Sequence, residues 1–145
     1  MKPINEMKLS FEGRSCNEGF ARSAVAAFVA VLDPTVEEIS DIKTAVSEAV
    51  TNCIVHGYRD KIGTVYIHAK IFEGGRIAVS IKDRGCGIAD VKKAMEPLFT
   101  TCETGERAGL GFSIMSSFMD KLRVRSKPGS GTCVTLEKII VSKGK

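Results

Sequence analysis

Tryptophan is absent from the chain, there are only two tyrosines, and aromatics make up 6% of the 145 residues. Stacking platforms of the kind that hold bare nucleic-acid bases are therefore scarce. Proline is also sparse, at four residues, which leaves long stretches free to form regular elements. No apolar run reaches the length needed to span a membrane; the longest, residues 24–32, is too short. The first residues are polar and mixed, unlike a secretory leader. The five cysteines (Cys16, Cys53, Cys86, Cys102, Cys133) are odd in number, scattered and never in a C-x-x-C pair. That excludes a disulfide framework or a zinc site and points to a reducing, cytoplasmic setting. The net charge of +4 is mild. Lys and Arg are spread along the chain, so no basic patch argues for direct contact with nucleic acid.

What is present is an ordinary globular balance, 43% apolar and 26% charged, enough for one domain over residues 1–145. Residues 7–13 alternate as a strand. A helix is expected from Phe20 to Leu32, capped by Ser15 or Asn17 and broken at Asp33-Pro34. Thr35-x-x-Glu38 is a capping box. It opens a long helix whose apolar residues Ile39, Ile42, Ala45, Val46, Ala49, Val50, Cys53 and Ile54 recur at three- and four-residue steps. Gly57 is expected to end it as a left-handed cap. After a turn at 60–63, two alternating runs, 64–72 and 76–82, flank Gly74-Gly75, a hairpin signal. A short helix over 89–95, a mobile loop over 97–108, a helix over 112–119 and a second strand pair, 122–126 and 132–138, complete the order; the last five residues are expected to fray. Grouped helices and hairpins imply an α+β fold: a two-layer sandwich with a mixed, largely antiparallel sheet covered on one face by helices.

Four local features bear on chemistry. Glu48 and Asn52 lie four apart, one turn above the other near the end of an apolar helix, where polar groups need partners. A polar pair facing water fits the same spacing. Asp83-x-Gly85-x-Gly87 follows a strand; an ionised Asp accepts hydrogen bonds and suits an exocyclic amine such as adenine N6, with the glycines letting a flat ring approach. A tight turn carrying Asp would read alike. Gly109-Leu110-Gly111 opens a helix, where free amides attract phosphate, though a glycine hinge is the plain alternative. It is neither a Walker A motif nor a dinucleotide fingerprint. Thr132, starting the last strand, could share the ligand edge that Asp83 reads.

Taken in order, Glu-x-x-x-Asn, Asp-x-Gly-x-Gly, a loop ending Gly-x-Gly, and Gly-Thr resemble the Bergerat-type ATP-binding fold shared by DNA gyrase, the Hsp90 chaperones, histidine kinases and the MutL repair proteins. Three runs narrow this further: residues 47–52 with His56-Gly57-Tyr58, residues 96–101, and Gly111-Phe112-Ser113-Ile114-Met115. They look like the anti-sigma factor serine kinases of spore-forming bacteria, in the branch that inhibits a sporulation sigma factor of the sigma-F type. Gly105 and Cys102 depart from that family's pattern. The resemblance implies that ATP binds with Mg²⁺ and that a serine of a STAS-type anti-anti-sigma antagonist is phosphorylated. It implies Glu48 as the base, Asn52 as the Mg²⁺ ligand, and Asp83 and Thr132 at adenine beside Gly85 and Gly87. Gly109, Leu110 and Gly111 would cradle the phosphates, Arg107 would meet the γ-phosphate or the protein substrate, and Arg22 would face the protein partners. A homodimer is implied too, with residues 7–13 as a sheet edge able to pair across a two-fold. Alternatives are the general-stress branch of the family, a nucleotide-gated binder without phosphotransfer, and a detached histidine-kinase ATPase domain. The last is disfavoured because the only histidines, His56 and His68, lie in a helix end and a strand.

Overall fold

The computed structural model describes residues 2–95 and 111–141. The expected loop over 97–108 and most of the expected C-terminal fray lie outside them. In chain order the elements are β1 (Asn5–Glu12), α1 (Asn17–Val29), a 3₁₀ turn (Ala30–Leu32), α2 (Val36–Thr51), a π-helical turn (Asn52–Gly57), β2 (Thr64–Phe72), β3 (Arg76–Asp83), α3 (Val91–Ala94), α4 (Phe112–Phe118), β4 (Lys121–Lys127) and β5 (Gly131–Ile139). None of the described helices is long and apolar enough to cross a membrane.

The strands form one sheet in the order β1-β2-β3-β5-β4. The two-layer α+β arrangement is the one expected. The sheet is antiparallel at every pairing rather than mixed; tight turns dictate this for β2 with β3 and β4 with β5, and the longer connections bring β1 beside β2 and β5 beside β3 in the same sense. Gly74 and Gly75, both with positive φ, make the first of these turns. Period-two alternation buries Val65, Ile67, Ala69, Ile71, Ile77, Val79, Ile81, Val134 and Leu136 on one face. Against it lie Ala21, Val25 and Val29 of α1 and Ile42, Ala45, Val46, Ala49 and Val50 of α2. Each fully buried Val, Leu or Ile side chain stabilises the fold by about 1.5–3 kcal/mol relative to exposure.

Helix ends decide where the site residues fall. α1 begins after Cys16 without a side-chain cap. Neither Ser15 nor Asn17 caps it, because the Asn17 amide donates instead to the Glu12 carbonyl (2.9 Å), tying α1 to the end of β1. At Asp33 the chain turns left-handed (φ 53°), and the helix ends before Pro34 as expected. The capping box forms in full: the Glu38 N–H donates to Thr35 Oγ1 (3.0 Å) and the Thr35 N–H to Glu38 Oε1 (2.8 Å). Gly57 is not the left-handed cap expected; it is absent from the positive-φ glycines. α2 instead widens into the π turn, with the Tyr58 N–H donating to the Cys53 carbonyl five residues back (2.9 Å). Glycine is required at 57 for another reason: a Cβ there would lie 2.7 Å from Asp83 Oδ2.

Candidate functional site

Asn52 and Asp83 are the two polar residues buried among the described ones, 8% and 3% exposed. Burying a carboxylate and a carboxamide is unfavourable unless each finds partners. Asn52 opens the π turn, so its side chain leaves α2 at the point where the helix changes pitch; such turns recur at functional sites. Asp83 ends β3, a central strand. Both line one cavity of about 480 Å³, which also takes in Gly87, Ile88, Phe112 and Thr132. Its walls are largely apolar, with Arg59, Lys93 and Asp90 adding charge of both signs. That is the lining of a small-molecule site: an apolar slot with a few fixed polar groups.

Asp83 is held firmly. Its Oδ1 accepts from the Gly85 N–H at 2.8 Å, and the Cys53 thiol donates to the same carboxylate. Burial lifts the Asp83 carboxyl above the ordinary carboxylate range, and those bonds with the Thr132 N–H only partly offset it. Burial likewise pushes the Cys53 thiol well above its usual value, and the neighbouring Asp83 charge pushes it further. Cys53 therefore stays a protonated donor. Tyr58 braces the strand end from behind: its hydroxyl accepts from the Arg84 N–H (2.8 Å) and donates to the Thr64 carbonyl.

The glycines of Asp-x-Gly-x-Gly are required by the protein's own backbone. A Cβ on Gly85 would sit 2.0 Å from the Gly57 carbonyl oxygen, and one on Gly87 2.2 Å from that of Lys127. Gly87 also has φ of 76°, a region open to glycine and strained for most other residues. Gly87 lines the cavity whereas Gly85 lies behind Asp83. Next to it the Ser126 hydroxyl is fully used. It accepts from the Ile88 N–H (2.7 Å), donates to the Gly131 carbonyl (3.0 Å) and shares a hydrogen bond with Thr132 Oγ1 (2.8 Å). With its proton on Gly131, Ser126 can only accept from Thr132, which leaves Thr132 lone pairs for a donor in the cavity.

Glu48 parts company with Asn52. It lines a second groove, about 520 Å³, between α1 and α2, shared with Arg22, Lys43, Thr44 and Ser47. Its carboxylate rests on Gly111, where a Cβ would meet Glu48 Oε2 at 2.3 Å. Gly111, with φ of 73°, precedes α4. Arg22 pairs with Glu18 one turn earlier (3.3 Å) on an exposed flank. So Asn52, Asp83, Gly87 and Thr132 come together in one cavity; Glu48 and Arg22 border the second groove, with Gly111 against Glu48. Arg107, Gly109 and Leu110, with Cys102 and Gly105, lie outside the described residues. Sequence reasoning missed Cys53 as the second donor to Asp83, and the apolar walls Ile88, Phe112 and Ala49. Ile88 and Phe112 were signalled, each by directly following a glycine motif.

Residues 17–138 match the family model described as a histidine kinase-like ATPase domain. The chain is 58% identical over 142 residues to the anti-sigma F factor of Thermoanaerobacter sp. (strain X514), covering 98% of this chain and 99% of that one. It is 54% identical over 135 residues to the anti-sigma F factor of Halalkalibacterium halodurans, covering 92% of each. Its fold is similar to the crystal structure of the RsbU and RsbW domains of a Mycobacterium tuberculosis protein. There the TM-score is 0.70 at 20% identity, over 95% of this chain and 32% of that one. The chain therefore belongs to the histidine kinase-like ATPase domain family and, within it, to the anti-sigma F factors.

Proposed function

We propose that the apolar cavity takes the adenosine part of ATP, that Mg²⁺ accompanies the phosphates, and that the γ-phosphoryl group passes to a serine of a STAS-type anti-anti-sigma protein. The observation carrying this is the convergence of the two buried polar residues, Asn52 and Asp83, on one apolar cavity. Asp83 accepts from adenine N6, and Thr132 offers its remaining lone pairs beside it. Gly111, with Gly109 and Leu110 before it, brings amides to the phosphates, and Arg107 supplies charge there.

The donor set fits Mg²⁺. Among the described residues there is no cluster of three metal-ligating side chains, and Mg²⁺ needs none, because it keeps several waters and is commonly held by one or two protein oxygens plus substrate phosphates. Asn52 would hold it; the bound ion would neutralise phosphate charge. Glu48 stands one helical turn from Asn52 and opens on the groove that Arg22 also lines. In that position it can orient and deprotonate an incoming serine hydroxyl; in phosphoryl transfer most of the gain comes from positioning and charge stabilisation. The partner bound when no phosphate moves is a sporulation sigma factor of the sigma-F type, in line with the relatives' name. A homodimer, with β1 pairing at the sheet edge, suits the unpaired outer side of β1.

Incubation with Mg²⁺-ATP and an anti-anti-sigma protein should give phosphoserine on that protein. Glu48→Gln should lose most transfer, roughly a hundredfold or more, while retaining ATP and sigma-factor binding. Unchanged transfer removes Glu48 from the base role. No transfer by the wild-type chain, with sigma binding intact, leaves a nucleotide-gated binder.

A further inference from the structure

Cations scattered in sequence gather on the open face of the sheet. Tyr66, Lys82, Cys133 and Arg125 stand in one cross-strand row, and Lys8, His68, Ser80, Thr135 and Arg123 in the next. Two cavities open on this face. One, about 480 Å³, is lined by Lys8, Ser10, Tyr66, His68, Ser80 and Lys82, among others. The other, about 270 Å³, is lined by Lys82, Arg125, Lys127 and Ser130. Lys82 and Cys133 border both, so the two make one trough from β1 to β4. The only carboxylate residue lining either is Asp83, which is buried and bonded to Gly85.

The acids of this face are already engaged. Glu6 bonds to His68 at 2.7 Å, and Glu137 sits between Arg76 (2.8 Å) and Arg123 (3.9 Å). Among the described residues no ion pair joins Lys8, Lys82, Arg125 or Lys127 to a carboxylate. Cations on β4 guard that sheet edge against pairing. Lys82 is on β3, an interior strand, so edge protection does not account for it.

We propose that this trough docks an acidic polypeptide segment. Its cations call for a polyanion, and its hydroxyls Ser10, Ser80 and Ser130 can donate to carboxylates. Single-stranded nucleic acid fits less well: Tyr66 is the one Phe or Tyr ring lining the trough, with Arg84 over it at 4.9 Å, and His68 is engaged by Glu6, so stacking surface is scarce. A second copy of the chain fits less well again, because a two-fold contact on this face would set like charges against each other.

The test is fluorescence anisotropy of the full chain with a labelled oligo-glutamate peptide and a labelled oligothymidylate of equal charge, at about 50 mM and about 200 mM salt. The peptide should bind, more weakly at the higher salt, and the pair Lys82→Ser/Arg125→Ser should weaken it about tenfold with the unfolding midpoint retained. Should that pair fail to fold, Lys127→Ser, at an exposed position away from β1, should weaken it in the same direction. Peptide binding untouched by the folded variants overturns the proposal. So does tighter binding of the oligothymidylate, or a variant that changes the protein's own oligomeric state, which would assign the face to a second copy.

Discussion

Asp83 carries a standing cost. Its folded pKa lies above the ordinary value because burial disfavours the charged form. The sign follows from linkage. A carboxyl that binds its proton more tightly when folded leaves stability highest below the unfolded pKa. Stability then falls as pH rises between the unfolded and folded values, and stays lowered above both. Asp83→Asn should remove that dependence and raise the neutral-pH unfolding midpoint, while weakening adenine-nucleotide binding. Thermal unfolding from acid to neutral pH, with titration calorimetry, checks both halves; a lower midpoint at neutral pH would contradict the first. Gly85 is the second residue with a definite expectation. Its missing Cβ makes space for the Gly57 carbonyl, so Gly85→Ala should lose about 1–3 kcal/mol without any nucleotide present, measured by urea unfolding. Were its role only to admit a ring, the nucleotide-free protein would be unaffected.

At the scale of elements, the start of α2 is a joint between layers. Burial pulls the Glu38 carboxyl up, but N–H groups of Thr35 and Val141 outweigh it and leave the carboxyl below its usual range. The stabilisation is therefore present above the unfolded pKa and lost as pH falls through the folded one. Glu38 closes the capping box with Oε1 and takes the Val141 N–H with Oε2 (3.0 Å), anchoring the chain just past β5. Thr35→Ala should lose about 1 kcal/mol, as N-cap truncations do, and Glu38→Ala more, since it frees two elements at once. Equal losses in chemical denaturation would mean that the Val141 bond adds nothing. At its far end α2 changes pitch, and the π turn gives Asn52 and Glu48 separate outlooks although they lie four residues apart.

For the whole molecule, the sheet separates two surfaces. The helical side holds the apolar cavity proposed for the nucleotide; the open side carries the basic trough, and the strand end at Asp83 and Thr132 borders both. Ligand linkage gives the expectation at this scale. Mg²⁺-ATP at a hundred times its Kd should stabilise the fold by about 2.7 kcal/mol. Asn52→Ala should lose most of the part that depends on Mg²⁺, read as unfolding midpoints with and without the metal.

The element order, the hairpin at Gly74-Gly75, the capping box and the buried faces of β2 and β3 were all legible in the chain. They rest on period, capping chemistry and turn residues, which act between near neighbours. The family and the residues meeting at the cavity were legible too, because the motifs fall in order on those elements. What tertiary structure alone decided lies between elements. It set the fully antiparallel pairing, the π turn that displaces Gly57 from a capping role, and the thiol that Cys53 turns toward Asp83. It also crowded the backbone so that Gly85 and Gly87 have no room for a side chain. The cations changed most in meaning: spread along the sequence, they read as a mild net charge. Cross-strand register brings every second residue of neighbouring strands to one face, and only there do they become a surface.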